Sequence, residues 1–246
     1  MLKMLYVIHD EQNLRDFYNH TPWLLNCQIF VKLNNEALQN RLDPSICLSK
    51  NYENLGYFGG FRQLINEFNI TGNFIICNCD VFIKQIEVDH IYKNWVNRNC
   101  IIGPAIISPN EKFVQPPALF RSIYKTLFLR LDPAVIQCEI KVDYLAGSIL
   151  FFGVNLNCDI LLSYPYCLYC EEVYLSNTAR DNGVQLFFDP DIRVLHHYDE
   201  IDRVKNNFRS RHVRKNLFRL ILKYETRLSM SLPILNWARL VLIGKI

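Results

Sequence analysis

"NFIICNCDVF", residues 73–82, decides the fold. Apolar residues run without a break from Phe74 to Cys77, and oxygen-bearing side chains follow at Asn78 and Asp80. A strand buried on one face alternates apolar with polar residues, whereas a strand buried on both faces is continuously apolar. Working outward, the same texture recurs at "MLYVIH" (4–9), "CQIFVKL" (27–33), "SICLS" (45–49) and "CIIGPAIIS" (100–108). Polar, helix-compatible segments at 10–24, 59–69 and 86–98 lie between them. The alternation predicts an α/β fold: a mostly parallel central sheet with helices on both faces.

Ligands of such sheets bind outside the carboxyl ends of the strands. The polar residues just after each strand are therefore the first candidates: His9 and Asp10, Asn34 and Asn35, Asn78 and Asp80. A carboxylate at Asp80, two residues after Asn78, can hold a divalent cation and its phosphate ligands. The plainer alternative is an Asx turn closing the strand. "NYENLGYFGGFRQLI" (51–65) places three glycines before a helix. It matches neither G-x-x-x-x-G-K-[ST] nor G-x-G-x-x-G, and it reads as a flexible turn or as backbone that must approach a ligand closely.

Downstream, "ALFRSIYKTLFLRL" (118–131) predicts a helix and "YLAGSILFF" (144–152) a strand. "EEVYLSNTARDNG" (171–183) predicts a helix opening on Glu171 and Glu172 and stopping at Gly183. Acids in a first turn suit the helix dipole, and a helix start can equally aim a catalytic base. "GVQLFF" and "IRVLHH" follow as strands. Adjacent His196 and His197 project to opposite sides of an extended chain, so one of them serves any given site.

Half of the 246 residues are hydrophobic and 13% are aromatic, which excludes a disordered chain. Nine cysteines form no regular frame. "CNC" (77–79) and "CLYC" (167–170) lack the matching second half of a zinc site, so reduced, mostly buried thiols are expected. The N-terminal apolar run is too short for a secretory signal, and no run reaches the roughly 18–20 residues of a spanning helix.

Residues 203–246 carry eleven Lys or Arg against one acid, Glu225, a net of +10 that leaves −7 for residues 1–202. The chain accordingly divides into a domain at 1–202 and a basic, amphipathic and apolar helical region at 203–246. That region resembles interfacial helices lying on an anionic membrane surface; a helix packed on the domain with a solvated basic face is the alternative. Its aromatics sit at helical spacing and form no stacking platform, so a nucleic-acid partner is not expected.

The order of segments resembles the inverting family 2 glycosyltransferases of GT-A fold, especially the bacterial rhamnosyltransferase-like branch that builds surface polysaccharides. The resemblance rests on "NLGYFGG" (54–60), "NCD" (78–80), "GP" (103–104), "VDYLAGS" (142–148), "YCEEVYL" (169–175), Gly183 and "VLH" (194–196). It implies a GT-A-like nucleotide-binding fold and transfer of a sugar, with inversion, from a UDP or dTDP donor to a saccharide acceptor, lipid-linked in this reading. His9, Asn34, Asn54, Gly56, Asn78, Asp80 and Gly147 would bind the donor. Asp80, with His196 as second ligand, would hold Mg²⁺ or Mn²⁺. Glu172 would be the base, and Glu171 would orient the loop or bind acceptor. The implied location is cytoplasmic, peripheral on the inner face of the cell membrane. The chain departs from the pattern in having Asn34 without the usual aspartate, and Glu-Glu in place of Glu-Asp. These departures motivate a second reading, a catalytically inactive nucleotide-sugar-binding assembly partner.

Overall fold

A computed structural model describes residues 1–20, 27–110, 112–120, 126–166, 169–197, 207–225 and 231–242. The principal strands are β1 (Leu2–Ile8), β2 (Cys27–Leu33), β3 (Cys47–Leu48), β4 (Phe74–Cys77), β5 (Val81–Phe82) and β6 (Cys100–Ile107). A hairpin of β7 (Ala118–Phe120) and β8 (Phe128–Arg130) follows, then β9 (Ile140–Val142), β10 (Ile149–Phe152) and β11 (Gln185–His196). The helices are α1 (Glu11–His20), α2 (Gly56–Glu67), α3 (Gln85–Asn94), α4 (Cys158–Leu161), α5 (Glu171–Asp181), α6 (Asn207–Tyr224) and α7 (Ser231–Leu242).

The sheet runs β3-β2-β1-β4-β10-β6-β11-β5, with β9 on β11. Strands β3, β2, β1 and β4 are mutually parallel, as are β6 and β11; β10 is inserted antiparallel between β4 and β6. The double-sided burial read from the sequence is literal. Leu2, Met4, Tyr6 and Ile8 enter one core with Leu14 and Phe17 of α1 and Val88 and Ile91 of α3. Leu5 and Val7 enter the other with Phe58, Phe61 and Leu64 of α2 and Leu175 of α5.

Two expectations are corrected. Residues 118–120 and 128–130 form strands where a helix was expected. Long-range pairing overrides helical propensity there: Asp143 and Tyr144 both donate their N–H groups to the Ala118 carbonyl, and Phe120 N–H donates to Asp143 Oδ2 at 2.8 Å. Phe120 also stacks on Phe128, which packs against Tyr144. "GVQLFF" and "IRVLHH" are one strand, β11, whose register against β6 shifts between Asp189 and Arg193. The inserted residues turn the strand over: Leu186 and Phe188 face the α2 core, whereas Ile192 and Val194 face the α1 core. His196 continues the second alternation.

The boundary expected at 202/203 lies outside the described residues. Beyond it, α6 docks on α5 through Tyr174, Leu220 and Tyr224. Glu225 accepts from both the N–H and the hydroxyl of Thr126, at 2.8 and 2.6 Å. Trp237 of α7 donates to the Arg214 carbonyl at 3.1 Å. Among the described residues no helix is long and apolar enough to cross a membrane.

Candidate active site

The antiparallel pairing of β5 with β11 places His196 opposite Val81. Asp80, one residue earlier, therefore meets it: His196 Nε2 lies 3.0 Å from Asp80 Oδ2. The histidine side chain is 3% exposed and the aspartate 32%, so the pair has one buried member and one turned toward solvent. His197 points away and stacks on His20 at 4.2 Å, while its N–H donates to the Asp80 carbonyl. The register shift in β11 thus selects His196 over its neighbour. Residues 78–81 close the strand with a backbone turn, Val81 N–H donating to the Asn78 main-chain carbonyl.

A second group forms at the ends of β1 and β2. Gly56 N–H donates to Asn54 Oδ1 at 3.1 Å, which fixes that atom as oxygen. The Asn34 atom 3.3 Å away must then be the amide nitrogen. The same nitrogen lies 2.5 Å from His9 Nδ1, so that ring atom accepts and the proton resides on Nε2. Burial holds the imidazole pKa down, which suits this neutral form. The chain leaves over one buried donor, His9 Nε2–H, and one buried acceptor, Asn34 Oδ1. Asp10 and Asn35 are instead spent on helix starts, accepting from Asn13 N–H and Ala37 N–H. The glycines have separate reasons. Gly56 has φ +70°, and a Cβ at Gly60 would lie 2.7 Å from Val7 Cγ2, so α2 sits directly on β1.

Tyr57, which the sequence reading passed over, joins the two groups. Its ring packs edge-on against His9 at 4.9 Å. Burial pushes its phenol far above the usual range, and nearby acidic groups, Asp80 among them, add to the effect. No motif marks a tyrosine in the first turn of α2; only the fold places it there.

Glu172, in the first turn of α5, packs against Gly147. A Cβ on Gly147 would lie 3.0 Å from Glu172 Oε1, so the carboxylate packs against bare backbone there. The next residue, Ser148, accepts the Asn78 N–H at 2.8 Å, which brings Glu172 to the Asn78–Asp80 segment. Helix α5 starts abruptly, after two left-handed residues, Tyr169 and Cys170 (φ 68° and 69°). Glu171 is 7% exposed, and its carboxylate accepts from backbone N–H groups at this turn. Burial first, and the Glu172 charge second, push it up to about 8.

Asp80 and His196 suit a divalent cation. The 3.0 Å between them is that of a direct hydrogen bond, which a cation held by both would replace. Among the described residues no cluster of three His, Cys, Asp or Glu forms, so other positions would fall to diphosphate and water. The eight described cysteines are free thiols; Cys77 and Cys79 are buried and pushed well above their usual pKa by desolvation. A cavity of about 620 Å³ lies at the other end of the strands, between Asn66–Gly72 and Val154–Asp159. It is remote from all the residues above.

The mostly parallel central sheet with helices on both faces gives the chain a GT-A-like fold. No family model matches the sequence, and no curated protein matches it. Among solved structures the fold is similar to that of GalNAc-T7, crystallised with UDP, GalNAc and Mn²⁺, with a TM-score of 0.56 at 14% identity. The similarity covers 90% of this chain and 47% of that one, so the chain spans about half the length of the structure it matches.

Proposed function

We propose that the chain is a metal-dependent glycosyltransferase that moves a sugar, with inversion, from a UDP or dTDP donor to a saccharide acceptor. The observation that carries this reading is the convergence of Asp80–His196 and Glu172 across the Asn78–Ser148 contact. When bound, Mg²⁺ or Mn²⁺ would neutralise charge growing on the leaving diphosphate. Asp80 and His196 would hold it. His9 Nε2–H and Asn34 Oδ1 offer a donor and an acceptor to the nucleoside, with Asn54 and Gly56 fixing their orientation. The bare backbone at Gly147 leaves Glu172 room to take the acceptor proton on the face opposite the diphosphate, which gives inversion. Glu171 positions that turn. The similarity in fold to a UDP- and Mn²⁺-bound structure supports the donor class.

The acceptor in this reading is lipid-linked, used in surface polysaccharide synthesis at the inner face of the cell membrane. Its support is the +10 charge of residues 203–246, with Arg211, Lys215 and Lys223 solvent-exposed on α6.

Thermal unfolding with UDP- and dTDP-sugars, with and without Mn²⁺, tests the proposal, because a ligand of the native state raises its stability. Mn²⁺ plus donor should raise the midpoint of the natural chain and leave Asp80→Ala unmoved. Equal stabilisation of both would reduce Asp80 to a turn residue and remove the proposal's basis.

A further inference from the structure

We infer that the cavity between α5, β9 and the β7–β8 hairpin is a saccharide subsite that holds one sugar residue of the acceptor at a distance from the reacting hydroxyl. The inference rests on the glycosyltransferase reading above.

The cavity measures about 170 Å³, well below the roughly 300–1,000 Å³ of drug-sized ligand pockets. A single sugar ring suits it; a nucleotide does not. Ser176, Arg180, Lys141, Asp143 and Gln185 line it, with Phe120 beside them. A hydroxyl, a guanidinium, an ammonium, a carboxylate and an amide alternate donors with acceptors around a small space. That is the complement of a ring of hydroxyls.

These groups are held in place. Arg180 lies 4.3 Å above the Phe120 ring and donates to Asn177 Oδ1 at 2.9 Å. Asp143 Oδ2 is held by the Phe120 N–H. Gly183, with φ +70°, ends α5 at the rim, and a Cβ there would meet nothing within 4 Å.

Position supplies the link to the reaction. Glu172, Ser176 and Arg180 are spaced by four residues and share one side of α5. Ser176 Oγ donates to the Glu172 carbonyl at 2.7 Å. Arg180 stands about 12 Å along the helix from Glu172, the reach of a short oligosaccharide. The cavity opens at the amino-end edge of β11, where Gln185 pairs with Cys100, and Ser176, 2% exposed, closes the direct line along α5; an acceptor held there would run from Glu172 over the surface of the domain and place a unit further back in the cavity.

The test uses the full chain with ¹³C-labelled methyl groups and, as probes, the methyl glycosides of glucose, galactose, mannose, rhamnose, N-acetylglucosamine and glucuronic acid. At least one should shift the methyls of Val142, Val184 and Leu186 and leave Val154 and Ile70, at the 620 Å³ cavity, unmoved. Replacing exposed Lys141 and Gln185 by alanine should weaken that binding about fivefold or more, the scale of a lost hydrogen bond or two, and leave Mn²⁺-dependent UDP binding unchanged. No shift with any probe, shifts only at Val154 and Ile70, or binding indifferent to the double variant would each overturn the subsite. Failure of UDP to bind, with the sugar shifts intact, would instead count against the glycosyltransferase reading.

Discussion

Asp80 and Glu172, linked through the Asn78–Ser148 hydrogen bond and the contact of Glu172 with Gly147, are held by different means. Asp80 is fixed by backbone: β5 pairs with β11, and the His197 N–H closes on the Asp80 carbonyl. Glu172 is fixed by packing. Its helix has no side-chain cap at Cys170, follows two left-handed residues, and leans on α6 through Tyr174, Leu220 and Tyr224. Cys170 Sγ reaches the Val213 carbonyl at 3.9 Å, and Lys223 lies 4.6 Å above the Tyr174 ring. Strand register is all-or-none, whereas side-chain packing yields by degrees. The donor half and the base half should therefore fail separately.

The hardest blow to that contrast is to end the chain after residue 206. Transfer should fall to background because α5 loses its support, while Mn²⁺-dependent stabilisation by UDP persists. Loss of both together would mean that the two halves are one unit. Next in size, Glu172→Gln should lower transfer by roughly a hundredfold or more, the lower range for a general base, with donor affinity unchanged. Steady-state rates on Glu171→Gln, expected to be milder, check the assignment; a reversed ranking would move the base to Glu171.

Leu220→Ala should be smaller and purely a matter of packing. Leu220 is fully buried, and such a truncation costs about 2–5 kcal/mol. Denaturant unfolding measures it, and donor binding by the surviving native fraction should be normal. The smallest effect is on pH dependence. Glu171 is pushed up from 4.5 to about 8 in the fold. Between those values the native chain binds a proton that the unfolded chain has released. Unfolding free energy should therefore fall as pH rises from about 4.5 to about 8. Glu171→Gln should flatten that slope and gain on the natural chain toward pH 8; parallel profiles would show that Glu171 keeps an ordinary titration.

The sequence made the donor half legible. Continuous apolar runs mark strands buried on both sides, and the residues just past them must lie at one edge. That is why His9, Asn34, Asn78 and Asp80 could be named without coordinates. The base half was legible only as "EEVYL" opening a helix. Its support lies in Leu220 and Tyr224, forty or more positions away, and no local pattern announces such a contact. The paired strands at 118–120 and 128–130 were misread for the same reason. Their apolar spacing fits a helix, and what decides against one is the Tyr144 backbone, distant in sequence. The antiparallel insertion of β10 was equally invisible, because strand direction leaves no trace in an apolar run. The choice between His196 and His197 depended on inserted residues around Pro190, which alter parity without altering composition.

The contact between Asp80 and His196 spans 116 positions of chain. A nascent polypeptide can therefore complete β1, β2 and β4 long before the Asp80–His196 pair exists, since His196 emerges so many residues later. Contacts of such separation close slowly, after the local ones have formed. Donor and metal would thus bind only chains whose last sheet strand has docked, and they would stabilise those chains selectively. Donor supply during expression should consequently raise the yield of soluble protein by protecting the last step of its assembly.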